Sequence, residues 1–128
     1  MCLLHLIYLL LKEKYRTKKI KFKNKTLRVL VADSFLKRAI GLMYRKELKE
    51  DGMLFIFKKE AKHSITMKNV NFSVDVFWLD EEGKIKEILK ANPSLVFYNP
   101  KYKSKYILEL KSNIINAKTG ESFNLCAL

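Results

Sequence analysis

Ile20 and Phe22 alternate with Lys19, Lys21 and Lys23, and Leu27, Val29 and Val31 alternate again after Asn24-Lys25. Alternation of period two places every apolar side chain on one face, so residues 20–31 are predicted to form a β-hairpin that turns at Asn24-Lys25. Asp33-Ser34 is a helix N-cap pair, because a short side-chain oxygen there can accept from the first free backbone N–H groups. Phe35, Leu36, Ala39, Ile40 and Met43 then recur at helical spacing, with Lys37, Arg38 and Arg45 off that face. Gly41 interrupts this helix at a cost of about 1 kcal/mol relative to alanine. The helix is therefore expected to bend or end there, or to let another backbone pass close by.

Asp51-Gly52 reads as a turn, and residues 53–57 as a short strand buried on both faces. Residues 58–64 read as a polar loop and residues 72–79 as a strand. Asp80-Glu81-Glu82-Gly83 closes a hairpin onto residues 84–89. Asn92-Pro93 and Asn99-Pro100 bracket a loop, and residues 106–110 form a further strand. Residues 114–118 are expected to form one short helix closed by Thr119-Gly120, and residues 123–128 a last strand. The sum is an α+β domain, mainly antiparallel β, with a curled, barrel-like sheet and one or two short helices packed on it.

Length and composition narrow this picture. A chain of 128 residues with 48% apolar content fits one domain with its own core. We divide it into an apolar, then basic, arm over residues 1–19 and a β-rich domain over residues 20–128. Cys2 and Cys126 are the two cysteines, one at each end, which makes no disulfide framework and no Cys/His zinc cluster. The net charge of +13 is uneven: residues 12–28 hold nine of the 26 basic residues and one of the 13 acids. Residues 2–11, CLLHLIYLLL, are apolar but half the ~20 residues that a spanning helix needs. No cleavable signal peptide is evident, because the charges follow the apolar run rather than precede it. The arm reads as an interfacial anchor, as the remnant of a longer span, or as a segment packed on the domain or on a second copy. Through residues 2–28 an anionic membrane surface is a candidate partner. The expected location is cytoplasmic or on the cytoplasmic membrane.

Four phrases carry a resemblance: "GLM" (Gly41-Leu42-Met43), "GMLFIF" (residues 52–57), "MKNVNFSVDVFWLDEEGKI" (residues 67–85) and "YILEL" (residues 106–110). In order and spacing they resemble the prokaryotic family called domain of unknown function 192, over about residues 27–128. The resemblance implies a small, mainly β, barrel-like domain with a helix packed on it. It implies no assigned activity, and many relatives carry a signal or lipid-anchoring N-terminus. The chain departs from the family pattern in three places. Ile65-Thr66 precede Met67 where an aromatic is usual, Val70 stands where a threonine is usual, and Ser112-Asn113 stand where a glycine is usual.

Asp75 poses the chemical question, since it sits between Val74 and Val76, next to Phe77 and Trp78. In a strand it shares a face with Ser73 and Phe77, and a carboxylate there must be hydrogen-bonded or paired, or its pKa rises. Lys68, Arg38 and Arg45 are candidates to supply the opposite charge. Met67, Lys68, Asn69 and Asp75 form the candidate ligand-binding set. The structural alternative is that Asp75 caps backbone N–H groups of a crossing loop while Asn69 shapes a turn.

Glu109 is a second in-strand acid, which admits a hydrolase using Asp75 and Glu109 as paired carboxylates. Met43, Met53 and Met67 with His63 suggest a soft-ion site, but such methionines more often fill gaps in a core, so no metal and no cofactor is expected. Tyr98, Tyr102 and Tyr106 interleave with Lys101, Lys103 and Lys105, a pattern that can stack bases and hold phosphates. Function therefore reads as a non-catalytic ligand-binding or interaction module in a membrane-proximal setting, with a nucleic-acid-binding protein as the alternative and the hydrolase after it.

Overall fold

In the computed structural model, residues 2–5 and 15–126 are described. Within residues 17–111 the elements follow one another as β1 (Thr17–Phe22), β2 (Lys25–Ala32), α1 (Phe35–Ile40), β3 (Gly52–Ala61), β4 (Val74–Leu79), β5 (Ile85–Ala91) and β6 (Ser104–Lys111). The strands form one sheet in the order β1-β2-β3-β6-β4-β5. Every pairing is antiparallel except β2 with β3, and the connection between those two carries α1.

The alternation in the sequence produces the first hairpin. Ile20 and Phe22 are buried while Lys19 and Lys21 are exposed, so these lysines are a solvated strand face. The turn falls at Lys23-Asn24, because Phe22 pairs with Lys25. Strand β1 begins at Thr17, ahead of the predicted hairpin start at Ile20.

All six residues of β4 are buried, so the sheet has a core on each side. Phe77 and Leu79 join Ile20, Phe22, Leu54, Leu108 and Leu110 on an inner face. Val74, Val76 and Trp78 join Leu30, Met53, Phe55 and Ile107 on an outer face, where Leu42, Ile65, Met67 and Val70 cover them. Trp78 is fully buried and its indole Nε1 donates to the His63 carbonyl at 2.8 Å, which removes the penalty for burying that N–H.

The sheet is not closed by a strand ladder, and the C-terminal segment spans its two ends. Asn124 makes two backbone bonds with Lys21 of β1, at 3.0 and 2.8 Å, and Ser122 bridges Lys84 beside β5. Between them Phe123 enters the inner core, 5.0 Å from the Phe22 ring and 5.4 Å from the Phe77 ring. This is the curl that the sequence suggested, achieved with two bridges rather than with the predicted last strand over residues 123–128. Residues 127–128 lie outside the described residues.

Two further expectations are corrected. Residues 58–61 continue β3 instead of opening the predicted polar loop, with a register shift between Ile56 and Ala61. Residues 114–118 are not helical; the Ile114 carbonyl that a helix would use accepts from Lys25 Nζ at 2.6 Å. Most of the apolar N-terminal run, residues 6–11, lies outside the described residues. Among the described residues no helix is long and apolar enough to cross a membrane.

Candidate functional site

Ser34 caps α1: its Oγ accepts from the Lys37 N–H at 3.2 Å. The helix ends at Gly41, whose φ of 52° is favourable only without a side chain, and the Gly41 N–H closes the last turn on the Lys37 carbonyl at 2.8 Å. A Cβ at Gly41 would also sit 3.1 Å from the Phe55 ring. The helix end is thus seated on β3, and the chain leaves it through Leu42, which is buried.

Between this helix and the outer face of the sheet lies a cavity of about 410 Å³. Ile107 and Glu109 of β6 and Phe55 and Phe57 of β3 contribute to it, as do Arg38 and Ala39 from α1 and Ile65, Thr66 and Val70 from the loop before β4. Its lining is mostly apolar, and that makes Glu109 conspicuous.

Glu109 lies between Leu108 and Leu110, and its cross-strand neighbours are Met53 on β3 and Val76 on β4. It is 6% exposed. Among the described residues no charged group or hydrogen-bond donor pairs with its carboxyl, which lines the cavity. Burial without a partner penalises the charged form and pushes the carboxyl up to about 7. Arg38 shares the cavity but is engaged elsewhere. Its Nη1 donates to the Ile56 carbonyl at 3.0 Å, and its guanidinium lies 5.4 Å from the centre of the Phe57 ring, on which His63 also stacks at 3.6 Å.

The four residues singled out from sequence do not share one cavity. Met67 is a buried member of the outer core, and its N–H donates to the Leu95 carbonyl at 3.2 Å. Lys68 is exposed. Asn69 has a φ of 62° and ties two loops together: its amide donates to the Tyr44 hydroxyl at 2.9 Å and its carbonyl accepts from the Tyr44 N–H at 2.9 Å.

Asp75 lies on the opposite face from Met67, and its charge partner is Lys90 of the adjacent β5, at 3.2 Å, not Lys68, Arg38 or Arg45. Its other oxygen accepts from the Asn113 N–H at 3.0 Å, where Asn113 takes a φ of 63° in the turn after β6. Truncation of Asp75 to alanine would orphan that N–H, and it is expected to cost about 2 kcal/mol in urea unfolding. Lys90→Ala is expected to cost under about 1 kcal/mol, because the Lys90 side chain is 70% exposed. Equal costs for the two would refute this division.

Asp75 and Glu109 are also separated. Asp75 pairs with Leu110 and Val76 with Glu109, so the two carboxylates point to opposite faces and make no catalytic pair. The tyrosine–lysine stretch diverges as well. Tyr98 packs toward Trp78 in the outer core, with ring centres 5.5 Å apart, whereas Tyr106 packs against the inner core. The Tyr98 hydroxyl donates to the buried Glu87 carboxylate, which holds that phenol above its usual range, and the Lys101 N–H donates to the same carboxylate at 2.7 Å. Lys105 Nζ donates to the Lys58 carbonyl at 2.7 Å. Tyr102 and Lys103 remain exposed, so the six residues form no single stacking platform.

Comparison with known proteins agrees with the motifs. The family model of domain of unknown function 192, described as an uncharacterized ACR, matches residues 17–122. The chain belongs to this family.

A UPF0127 protein of Thermococcus sibiricus is 35% identical over 111 residues, covering 83% of this chain and 71% of its own. A UPF0127 protein of Pyrococcus furiosus is 32% identical over 106 residues, covering 77% and 86%. A crystal structure from Sinorhizobium meliloti, of a protein provisionally described as a transcription regulator, aligns with a TM-score of 0.81 at 23% identity, over 91% of this chain and 99% of that one. A protein of unknown function from Novosphingobium aromaticivorans aligns with a TM-score of 0.72 at 17% identity, over 86% and 84%. At these identities the likeness shows a fold shared with this chain.

All four stretches that resemble the family contribute to the cavity: Gly41-Leu42-Met43, Phe55 and Phe57, Val70, and Ile107 with Glu109. Two of the departures from the family pattern, Ile65-Thr66 and Val70, also line it. At the third, Asn113 keeps the left-handed turn that a glycine would allow. Sequence reasoning did single out Glu109, but for a catalytic pair with Asp75 rather than for this cavity. The available signal was the one that drew attention to Asp75, an acid enclosed by apolar strand residues.

Proposed function

We propose that this member of domain of unknown function 192 is a binding module for a small, mainly apolar molecule. The ligand enters the cavity under α1 and directs one polar group to Glu109. The observation that carries this reading is the convergence of all four family-like stretches on one cavity that holds an unpaired, buried carboxyl. A volume of about 410 Å³ lies within the range of small-molecule sites, about 300–1,000 Å³.

Binding is better supported than hydrolysis. The lining hydroxyls are committed outward, Ser64 Oγ donating to Asn99 Oδ1 and Thr66 Oγ1 to the Val96 carbonyl, so neither is an activated nucleophile. Among the described residues no second carboxylate lines the cavity beside Glu109.

Ala39→Trp tests the reading. Ala39 is exposed at the edge of the cavity, so an indole there adds bulk across the entrance at a stability cost of about 0.5 kcal/mol or less. Titration calorimetry with 1-hexanol is expected to show binding to the wild type and at least about tenfold weaker binding to the variant, a difference of about 1.4 kcal/mol. Equal affinity for the two proteins would refute this site.

A further inference from the structure

Glu109 is buried on the floor of an apolar cavity without a donor. Strand β3 faces it with Met53 and Phe55 and β4 with Val76, none of which carries a proton donor on its side chain. From α1, Arg38 is the other titratable group of the lining, and it is held on the Ile56 carbonyl and the Phe57 ring. The loop before β4 contributes Ser64, Ile65, Thr66 and Val70. Of these the two hydroxyls donate elsewhere.

Resting on the binding reading above, we propose that the ligand is a small aliphatic amine whose ammonium group pairs with the Glu109 carboxylate while its alkyl chain lies along Phe55 and Ile107. An ionised carboxylate only accepts hydrogen bonds, and an ammonium only donates them. A hydrogen bond between two charged groups is stronger than one between neutral groups, and a surrounding apolar wall strengthens it further. A carboxylate ligand would bring a second negative charge against Glu109. A hydrocarbon ligand would offer the acid no hydrogen bond and would keep water from it.

The proposal has a pH signature. Burial holds the empty-site carboxyl up at about 7, so below that value the site presents a neutral acid and above it an anion. An alkylammonium stays protonated to about pH 10. Affinity for an alkylamine is therefore expected to rise between about pH 6 and about pH 8, whereas affinity for the matching alcohol stays flat.

Titration of the full chain with hexylamine and with 1-hexanol tests this. At about pH 8 hexylamine is expected to bind about tenfold more tightly than 1-hexanol. Glu109→Gln is expected to abolish that preference by weakening hexylamine binding more than 1-hexanol binding, and a far-UV circular dichroism spectrum and urea midpoint like those of the wild type report that the variant is folded. If 1-hexanol binds but hexylamine is no tighter, or if the preference survives in Glu109→Gln, the amine assignment falls and the binding module stands. If neither probe binds, the binding reading falls and takes the amine with it. A lysine side chain of a protein presents the same ammonium. Nα-acetyl-lysine N-methylamide is expected to bind more weakly than hexylamine, because its two amides find no partners in an apolar site. Equal or tighter binding by that compound would overturn the assignment to a free amine.

Discussion

Gly52→Ala is expected to destabilise the domain by about 4 kcal/mol or more, beyond the usual range for overpacking. Gly52 opens β3 at the centre of the sheet, paired with Val29 on one side and Leu110 on the other. A Cβ there would lie 2.0 Å from the Glu109 carbonyl oxygen, 3.0 Å from the carbonyl carbon and 2.8 Å from a methyl of Leu110. The first two atoms are backbone, so no rotamer change relieves the contact. The neighbouring Asp51 holds the strand ends in place: it accepts from the Arg28 and Lys111 N–H groups at 2.8 and 2.9 Å and donates to the Arg28 carbonyl at 2.8 Å. Relief therefore requires moving β6, which carries the cavity floor. Against a total stability of about 5–15 kcal/mol, the loss would leave many molecules unfolded at 37 °C. Urea unfolding of the two proteins is the measurement, and a loss of only about 1 kcal/mol would mean that β6 yields far more easily than its pairing implies.

The second large effect is in pH. The Glu109 carboxyl is raised from 4.5 to about 7 in the folded protein. Between those values the folded chain keeps a proton that the unfolded chain has released, so stability falls as pH rises through this window and levels off above it. The contribution of Glu109 to that fall is about 3 kcal/mol. Glu109→Gln retains the shape without the ionisation. The variant is expected to lack this component, so that wild type and variant differ little near pH 5 and diverge toward pH 8, with the variant the more stable. Parallel stability curves over that range would mean that Glu109 finds a partner or water in solution. The sign separates Glu109 from Asp75, whose truncation is expected to destabilise at neutral pH.

Both acids carry the same local signature, yet they differ in structure. Asp75 has a backbone N–H and a lysine, so its carboxylate is used to close the turn after β6. Glu109 has neither and faces a cavity. The distinction was not legible in the sequence because the partners come from residues 90 and 113, far along the chain from Asp75. The same distance explains the two misread C-terminal elements. Ile114, Ile115 and Ala117 are spaced like a helix face, but they pack against the inner core of a curved sheet. Phe123 is apolar because it enters that core, and its neighbours bridge two separate strand ends rather than form a strand of their own. Residues 58–60 looked like a loop because they are charged, and they are exposed along the extension of β3.

The mainly β class, the first hairpin, the helix from Ser34 to Gly41 and the strand around Asp75 are written in the order of the residues alone. Each of these follows from a local rule: a period of two, a cap, or a glycine where the backbone needs a positive φ. That order also marks Glu109 and Asp75 as acids in apolar strands. The tertiary structure alone decided what each acid does. Alternation assigns residues of one strand to two faces, but the register between strands decides which residues share a face across the sheet. Here β6 lies between β3 and β4, with Asp75 opposite Leu110 and Val76 opposite Glu109. That register puts Glu109 under α1 with the cavity and Asp75 on the other side with its lysine, and it joins segments too distant in sequence for any local pattern to specify.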